Sequence, residues 1–276
     1  MTWTMSNPRT ILLAVTIAGV ILSLPRVSVA SGQDQTPAQT PTPAATAQAA
    51  SPSDSDVAAR LDKKQFHNVK VSMDEGVATL SGTVDLYAYK AEADKRVRKV
   101  KGVTAVRNLI EVAGPTIPDQ ILQEKLGEKL EYDQVFYGNA FNAISISVHN
   151  GIVTLGGHAF NYFNSKDSAL ALVSYYPGVK GVEDEIQVDP VSMVDDRIRM
   201  QVYRAVYGYS ALRKYAVDPG KPIRISVQNG HVGLYGMVDR QADKDIAFMR
   251  ANAVPGVFGV ENYLEIAPPP APKQKK

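Results

Sequence analysis

The four histidines are the first residues to weigh for chemistry, and they do not form a metal site. His67, His149, His158 and His231 show none of the HxH, HxxxH or HExxH spacings that bring two imidazoles to one cation. His149 and His231 flank turn sequences, His158 falls on a strand pattern and His67 leads into one. The chain has no cysteine, which removes thiolate catalysis, cysteine zinc sites and cysteine-ligated iron–sulfur clusters. The one dense carboxylate run, Glu183, Asp184 and Glu185, lies along a strand, where a partly solvated row is expected. No GxSxG, P-loop or GxGxxG in a strand–helix context occurs. These residues predict no catalytic group, no metal and no cofactor, and the chain is expected not to be an enzyme.

Two clusters do carry binding chemistry. The first is basic: Lys95, Arg96, Arg98, Lys99 and Lys101 crowd the end of one predicted helix. Such a run attracts anionic headgroups, and it equally suits the negative C-terminal end of a helix dipole. The second runs from Tyr203 to Tyr215 and interleaves Tyr203, Tyr207, Tyr209 and Tyr215 with Arg204, Arg213 and Lys214. Tyr132, Phe136, Tyr137 and Phe141 occupy the corresponding region upstream. Tyrosine beside arginine or lysine settles at a membrane interface, ring in the headgroup layer and cation on phosphate. The same tyrosines also suit packing between domains with their polar tips in water.

The elements that position these clusters come in three copies. EGVATLSGTV at 75–84, NGIVTLGGHA at 150–159 and NGHVGLYGMV at 229–238 are versions of one segment. Each is followed at a near-fixed distance by a second: KGVTAVRNLIEV at 101–112, PGVKGVEDEIQV at 177–188 and PGVFGVENYLEI at 255–266. The period exceeds that of solenoid units, so tandem small domains are expected. Each copy opens on acidic residues before an apolar stripe at helical spacing, which predicts a capped amphipathic helix. The pairs are Asp54-Ser55 before Val57 and Leu61, Asp119 before Leu122, Leu126 and Leu130, and Asp195-Asp196 before Ile198, Val202 and Val206.

A strand alternating at period 2 follows, then a tight turn at Glu75-Gly76, Asn150-Gly151 or Asn229-Gly230, then a return strand. The return strand turns Ala78, Leu80 and Val84 inward in the first copy, with Val153, Leu155 and Ala159, then Val232, Leu234 and Val238, as counterparts. Gly82, Gly157 and Gly236 fall within these inward sets, where a helix crossing or a bulge is expected. A second helix, marked by Ala93 and Val97 in the first copy, stops at Gly102, Gly178 or Gly256. The last strand turns Val106, Ile110 and Val112 inward together with Asn108, whose counterparts are Asp184 and Asn262.

The fold class is therefore α+β: three tandem αββαβ domains, each a small three-stranded sheet with two helices on one face. The domains are expected at 54–113, 117–189 and 194–267. Units this small are marginal alone, so they are expected to dock on one another, with the second sheet face as the candidate surface.

The flanks read differently. Residues 1–30 carry Arg9, an apolar run from Ile11 to Leu24, Pro25 and Ser28-Val29-Ala30, the pattern of an export signal peptide. Cleavage after Ala30 and retention as an anchor both fit this segment. Residues 31–53, mostly Ala, Pro, Thr, Gln and Ser, are expected to be a disordered linker, and 268–276 a disordered tail. A formal net charge of +2 over 276 residues sets up no field for nucleic acid.

The pattern NG-x-V-x-L-x-G-x-V, then PGV-x-x-V-x-N-x-L-x-V, resembles the BON domain of bacterial envelope proteins. The third copy matches best, with Asn229-Gly230, Leu234, Gly236, Pro255-Gly256-Val257, Val260, Asn262 and Leu264. The second departs most, with Asp184 for asparagine and Ala159 for valine. The resemblance implies the αββαβ fold, a periplasmic or cell-surface location, and a role in binding phospholipid or supporting the envelope. It brings no catalytic motif. The partner expected is an anionic phospholipid surface, with an interaction scaffold for envelope proteins or cell-wall polymer as the alternative.

Overall fold

The computed structural model describes residues 53–132, 140–160, 164–217 and 222–268. The segment read as an export signal, the expected linker up to 52, Phe136, Tyr137 and residues 269–276 lie outside this set. Among the described residues, no helix is long and apolar enough to cross a membrane.

The first repeat runs α1 (Asp54–Ala58), β1 (Val69–Asp74), β2 (Val77–Val84), α2 (Tyr87–Val97), β3 (Ala105–Asn108) and β4 (Glu111–Val112). The second runs α3 (Asp119–Tyr132), β5 (Ala143–His149), β6 (Ile152–Phe160), α4 (Ser165–Ser174), β7 (Gly181–Asp184) and β8 (Gln187–Asp189). The third runs α5 (Met193–Tyr207), α6 (Lys214–Val217), β9 (Arg224–Gln228), β10 (His231–Val238), α7 (Gln241–Asn252) and β11 (Gly259–Ile266). In each, the central strand pairs antiparallel with its hairpin partner and parallel with the strand that follows the second helix. The parallel pairing needs a crossover, and the second helix supplies it.

Each repeat owns a core. In the first, Ala78, Leu80 and Val84 meet Ala93 and Val97 of α2 with Val57 and Leu61. In the second, Val153, Leu155 and Ala159 meet Leu122, Leu126, Leu130, Ala169 and Val173. In the third, Val232, Leu234 and Val238 meet Ile198, Val202, Val206, Ala247 and Ala251. The predicted helix stripes and the inward sets of the return strands are these core residues, whereas the last strands bury only Ile110, Ile186 and Leu264 fully and leave Val188 and Ile266 exposed. One expected helix is shortened. α1 ends at Ala58, the chain tightens into 3-10 turns at Ala59–Leu61 and Lys64–Phe66, and buried Phe66 joins the core.

The hairpin turns have both central residues at positive φ: Glu75 44° and Gly76 84°, Asn150 53° and Gly151 77°, Asn229 50° and Gly230 77°. This is the type I′ geometry that matches the twist of a hairpin. It also leaves successive backbone N–H groups facing one way. The acidic residues expected as caps are used here instead. Asp119 accepts from Asn150 N and Gly151 N at 2.6 and 2.8 Å, and Asp195 accepts from Asn229 N and Gly230 N at 3.0 and 2.9 Å. Asp54 accepts from Met73 N at 2.7 Å. The caps themselves are Ser53 on α1 and Ser192 on α5.

At the inward glycines, backbone approaches rather than a helix. Gly82 and Gly157 sit at φ 109° and 84°. A Cβ there would lie 2.0 Å from Asn68 O or 2.1 Å from Ala143 O, at the start of the neighbouring strand. Neither a helix crossing nor a bulge explains them: the ladders keep one register through Gly82 and Gly157, and it is the close approach of the paired strand that excludes a side chain.

The polar residue of the last strand is a staple. Asn108 Nδ2 donates to Lys90 O at 2.9 Å, and Asn262 Nδ2 donates to Lys244 O at 3.0 Å, tying strand to second helix. Asn108 Oδ1 also accepts from Ile110 N at the break between β3 and β4, and Asn262 Oδ1 accepts from Leu264 N within the unbroken β11.

The repeats dock through different surfaces. Between the first and second, Tyr89 of α2 meets the Tyr175 ring edge-on at 6.3 Å, and Tyr87 OH donates to Val182 O at 3.5 Å. Between the second and third, the outer face of the second sheet is used, as expected. His158 lies 5.8 Å from the Tyr235 ring, and Phe160 lies under the Arg199 guanidinium at 4.3 Å.

Candidate functional site

The basic run lies at the C-terminal end of α2 and the turn after it. Val97 and Val100 face the core, which forces their polar neighbours outward. Lys95, Arg98, Lys99 and Lys101 are exposed and Arg96 is half-buried. They do not act as five equal charges. Arg96 pairs with Glu92 at 2.5 Å and Arg98 with Asp94 at 2.5 Å, both one helical turn back. Partial burial pushes the Glu92 carboxyl up, but Arg96, Gln65 and Lys63 more than offset this and hold it below the usual range. The hydrogen bond to Asp94 raises Arg98 further.

Lys95, Lys99 and Lys101 have no acidic partner among the described residues. Arg60 joins them from the first segment of the repeat: Arg60, Glu92, Lys95, Arg96 and Lys99 line a shallow groove of about 480 Å³. Sequence reasoning missed Arg60, which comes close only through the fold. The pairing of Arg96 and Arg98 was visible in the i, i+4 spacing to Glu92 and Asp94.

The tyrosine segment is placed differently from the interfacial reading. Tyr207 is buried and its OH donates to Ile223 O at 2.6 Å, with burial raising its phenol well above the ordinary value. Tyr215 is buried, donates to Asp243 at 2.7 Å and accepts from Asp239 N at 2.7 Å. Tyr203 is half-buried and packs on Tyr207 and Phe141 at 4.7 and 5.8 Å. Lys214 is held by Asp239 and Asp243 at 2.6 and 2.8 Å, which raises its pKa far above the usual lysine value. These residues serve the core of the third repeat and its contact with the second. An apolar helix stripe that continues into tyrosine is core, and the hydroxyls of Tyr207 and Tyr215 are bonded to protein. Tyr209, exposed beneath Arg250 at 5.7 Å, and the exposed Arg204 and Arg213 remain at the surface. The structure does not bring them together with the α2 lysines in one site.

Among the described residues, no group of three or more histidine, aspartate or glutamate side chains is placed to hold a metal.

A family model described as "BON domain" matches residues 53–114, 118–190 and 209–268. The chain belongs to the BON domain family. The third match starts after α5, although α5 packs as the first helix of that repeat. The resemblance carried by the turns and glycines is thereby established for all three BON repeats, including the second with its Asp184. There the staple is rebuilt: Lys166 Nζ bonds Asp184 at 2.8 Å and donates to Ile186 O at 3.0 Å. No curated protein matches the chain. Among solved structures, it is similar to CdsD, a structural protein of the type III secretion system of Chlamydia trachomatis. The identity is 19%, over 78% of this chain and 92% of that one, with a TM-score of 0.23. It is also similar to the periplasmic domain of the inner membrane protein PrgH from S. typhimurium, at 11% identity over 75% and 97% of the two chains, with a TM-score of 0.18.

Proposed function

We infer that this BON protein is a non-enzymatic component of the bacterial envelope that binds anionic phospholipid surfaces weakly. The observation that carries this reading is the exposed, unneutralised cation group of Lys95, Lys99 and Lys101, with Arg60 across the groove. Its family membership and the export-signal pattern support a location in the periplasm or at the outer surface. Affinity of a single patch this small is modest. Arg204 and Arg213 on the third repeat offer a second weak contact, and linked weak contacts add as avidity when both reach one surface.

The test is co-sedimentation of residues 31–276, which keep every described residue, with vesicles that contain or lack anionic phospholipid. Binding is expected only with anionic lipid and should weaken from low to physiological salt. Each basic residue near such a surface contributes about 1 kcal/mol, so Lys95→Gln, Lys99→Gln and Lys101→Gln together should lower partitioning by roughly two orders of magnitude. The Tyr207→Phe variant should bind as the parent does. No binding under any condition would replace this reading with that of a protein-binding scaffold.

A further inference from the structure

The first helices of the second and third BON repeats are built alike inside and differ outside. Asp119 and Asp195 each hold a hairpin turn, and Leu122, Leu126 and Leu130 take the core positions of Ile198, Val202 and Val206. On the outward side, Glu124 of α3 becomes Met200 of α5, and Glu128 becomes Arg204.

The outward side of α5 carries Met193, Arg197, Met200 and Arg204, at i, i+4, i+7 and i+11, one ridge along the helix. Met193 is 87% exposed and Met200 41%, and both arginines are exposed. Neither arginine meets a carboxylate among the described residues, because the adjacent Asp196 is spent on Arg199. Exposed methionine adapts its shape to whatever covers it.

The outward side of α3 lines a groove of about 1340 Å³. Ile146 and Val148 of β5 and Met237 of the third repeat give it an apolar floor. Glu124, Glu128, Glu131 and Glu265 give it an acidic rim. Lys125 is the one cation lining it among the described residues, and it pairs with Glu128 at 3.4 Å. Glu131 faces the Arg224 charge. Glu124 and Glu265 are exposed and meet no cation among the described residues.

An acidic rim over an apolar floor is the complement of a ridge of arginine and methionine. Within one molecule the ridge stays exposed, so a second molecule must supply the match. We propose that α5 of one copy of this chain docks into the α3 groove of another. Met193 and Met200 then lie toward Ile146, Val148 and Met237, and Arg197 and Arg204 lie against the glutamates of the rim. The spacings agree: Arg197 and Arg204 stand about 10 Å apart along α5 at 1.5 Å per residue, and Glu124 and Glu131 stand as far apart along α3. Each molecule offers one ridge and one groove, so the contact is heterologous and links copies head to tail. Assembly takes Arg204 from lipid but leaves the α2 lysines exposed and multiplies them, so weak contacts gain avidity.

The test is sedimentation velocity of residues 31–276, without lipid, over a hundredfold range of concentration at low and high salt. The average mass should rise with concentration, and the association should weaken at high salt. Reversing the ridge (Arg197→Glu with Arg204→Glu) or the rim (Glu124→Arg with Glu128→Arg) should each lower the association constant by about tenfold or more. An equimolar mixture of the two reversed variants should associate as the parent does, because every ridge then meets a rim of opposite charge. In the parent, hydrogen peroxide should oxidise Met193 and Met200 several-fold more slowly in concentrated than in dilute solution, while Met73 in the first repeat keeps its rate. A parent that stays monomeric, reversed variants that associate as the parent does, a mixture that stays monomeric, or methionine rates independent of concentration would each overturn the proposal. Lipid is absent throughout, so failure here leaves the lipid reading as it stands.

Discussion

Asp243 shows how a single buried carboxylate is kept charged in the third repeat. It accepts from Tyr215 OH at 2.7 Å and pairs with Lys214 at 2.8 Å and Arg240 at 3.2 Å. Burial alone would push its pKa up, but these three donors pull it below the ordinary aspartate value. A carboxyl with a lower pKa folded than unfolded adds stability that is fully present at neutral pH. That stability is lost as pH falls below the ordinary carboxylate range. Asp243→Asn keeps the shape and removes the charge, so it should destabilise the third repeat by about 2 kcal/mol at pH 7. The gap between parent and variant should narrow as the pH is lowered past the point where the parent carboxyl takes up its proton. Urea melts at a series of pH values read this directly, and a gap independent of pH would show that the charge contributes nothing. None of this was legible from sequence. The three donors come from positions 214, 215 and 240, and the Tyr203–Tyr215 segment by itself suits a membrane interface or packing between domains.

At the scale of elements the sequence was far more informative, because hydrophobic period and turn chemistry are local. Leu122, Leu126 and Leu130 identify α3 and its buried face, and Asn150-Gly151 identifies the hairpin after it. What local pattern could not reveal was why Gly157 recurs in each copy. Its φ of 84° and the Ala143 carbonyl 2.1 Å from a would-be Cβ are properties of two strands together. Gly127 gives the contrast within the same repeat, since it lies in α3 with nothing within 4 Å of its would-be Cβ. Gly127→Ala should therefore stabilise the repeat by about 0.5–1 kcal/mol through helix propensity and reduced chain entropy. Gly157→Ala must move strand backbone and leave the left-handed region, and should cost upwards of about 3 kcal/mol. Thermal melts of the two variants should shift in opposite directions. A Gly157→Ala protein as stable as the parent would mean that β5 and β6 are not held at this distance.

Over the whole molecule, three similar BON repeats become one body through joints that no single repeat foretells. Asp189 ends β8 and Arg199 sits on α5 beside Ile198, and within their own repeats both read as surface residues. Docking leaves them 0% and 1% exposed. Asp189 then gathers Arg199 Nη2 at 3.4 Å, Val227 N at 3.4 Å, Gln228 Nε2 at 2.9 Å and His158 Nδ1 at 3.1 Å. Arg199 also pairs with Asp196 and donates to Val227 O at 3.0 Å, and its Nε is buried without a partner. An ion pair buried this deeply favours one docking geometry, because a slipped joint would strand its charges away from water. Asp189→Ala leaves the Arg199 charge short of a counter-ion inside the joint and should cost about 3–5 kcal/mol. The double variant Asp189→Leu, Arg199→Met replaces the pair with apolar volume and should recover most of that loss. Calorimetry separates joint from core: the parent should melt in one transition, and in Asp189→Ala the second and third repeats should melt in two. A single transition in that variant, at the parent's temperature, would mean that contacts elsewhere hold the two repeats together and that the buried pair only fills the joint.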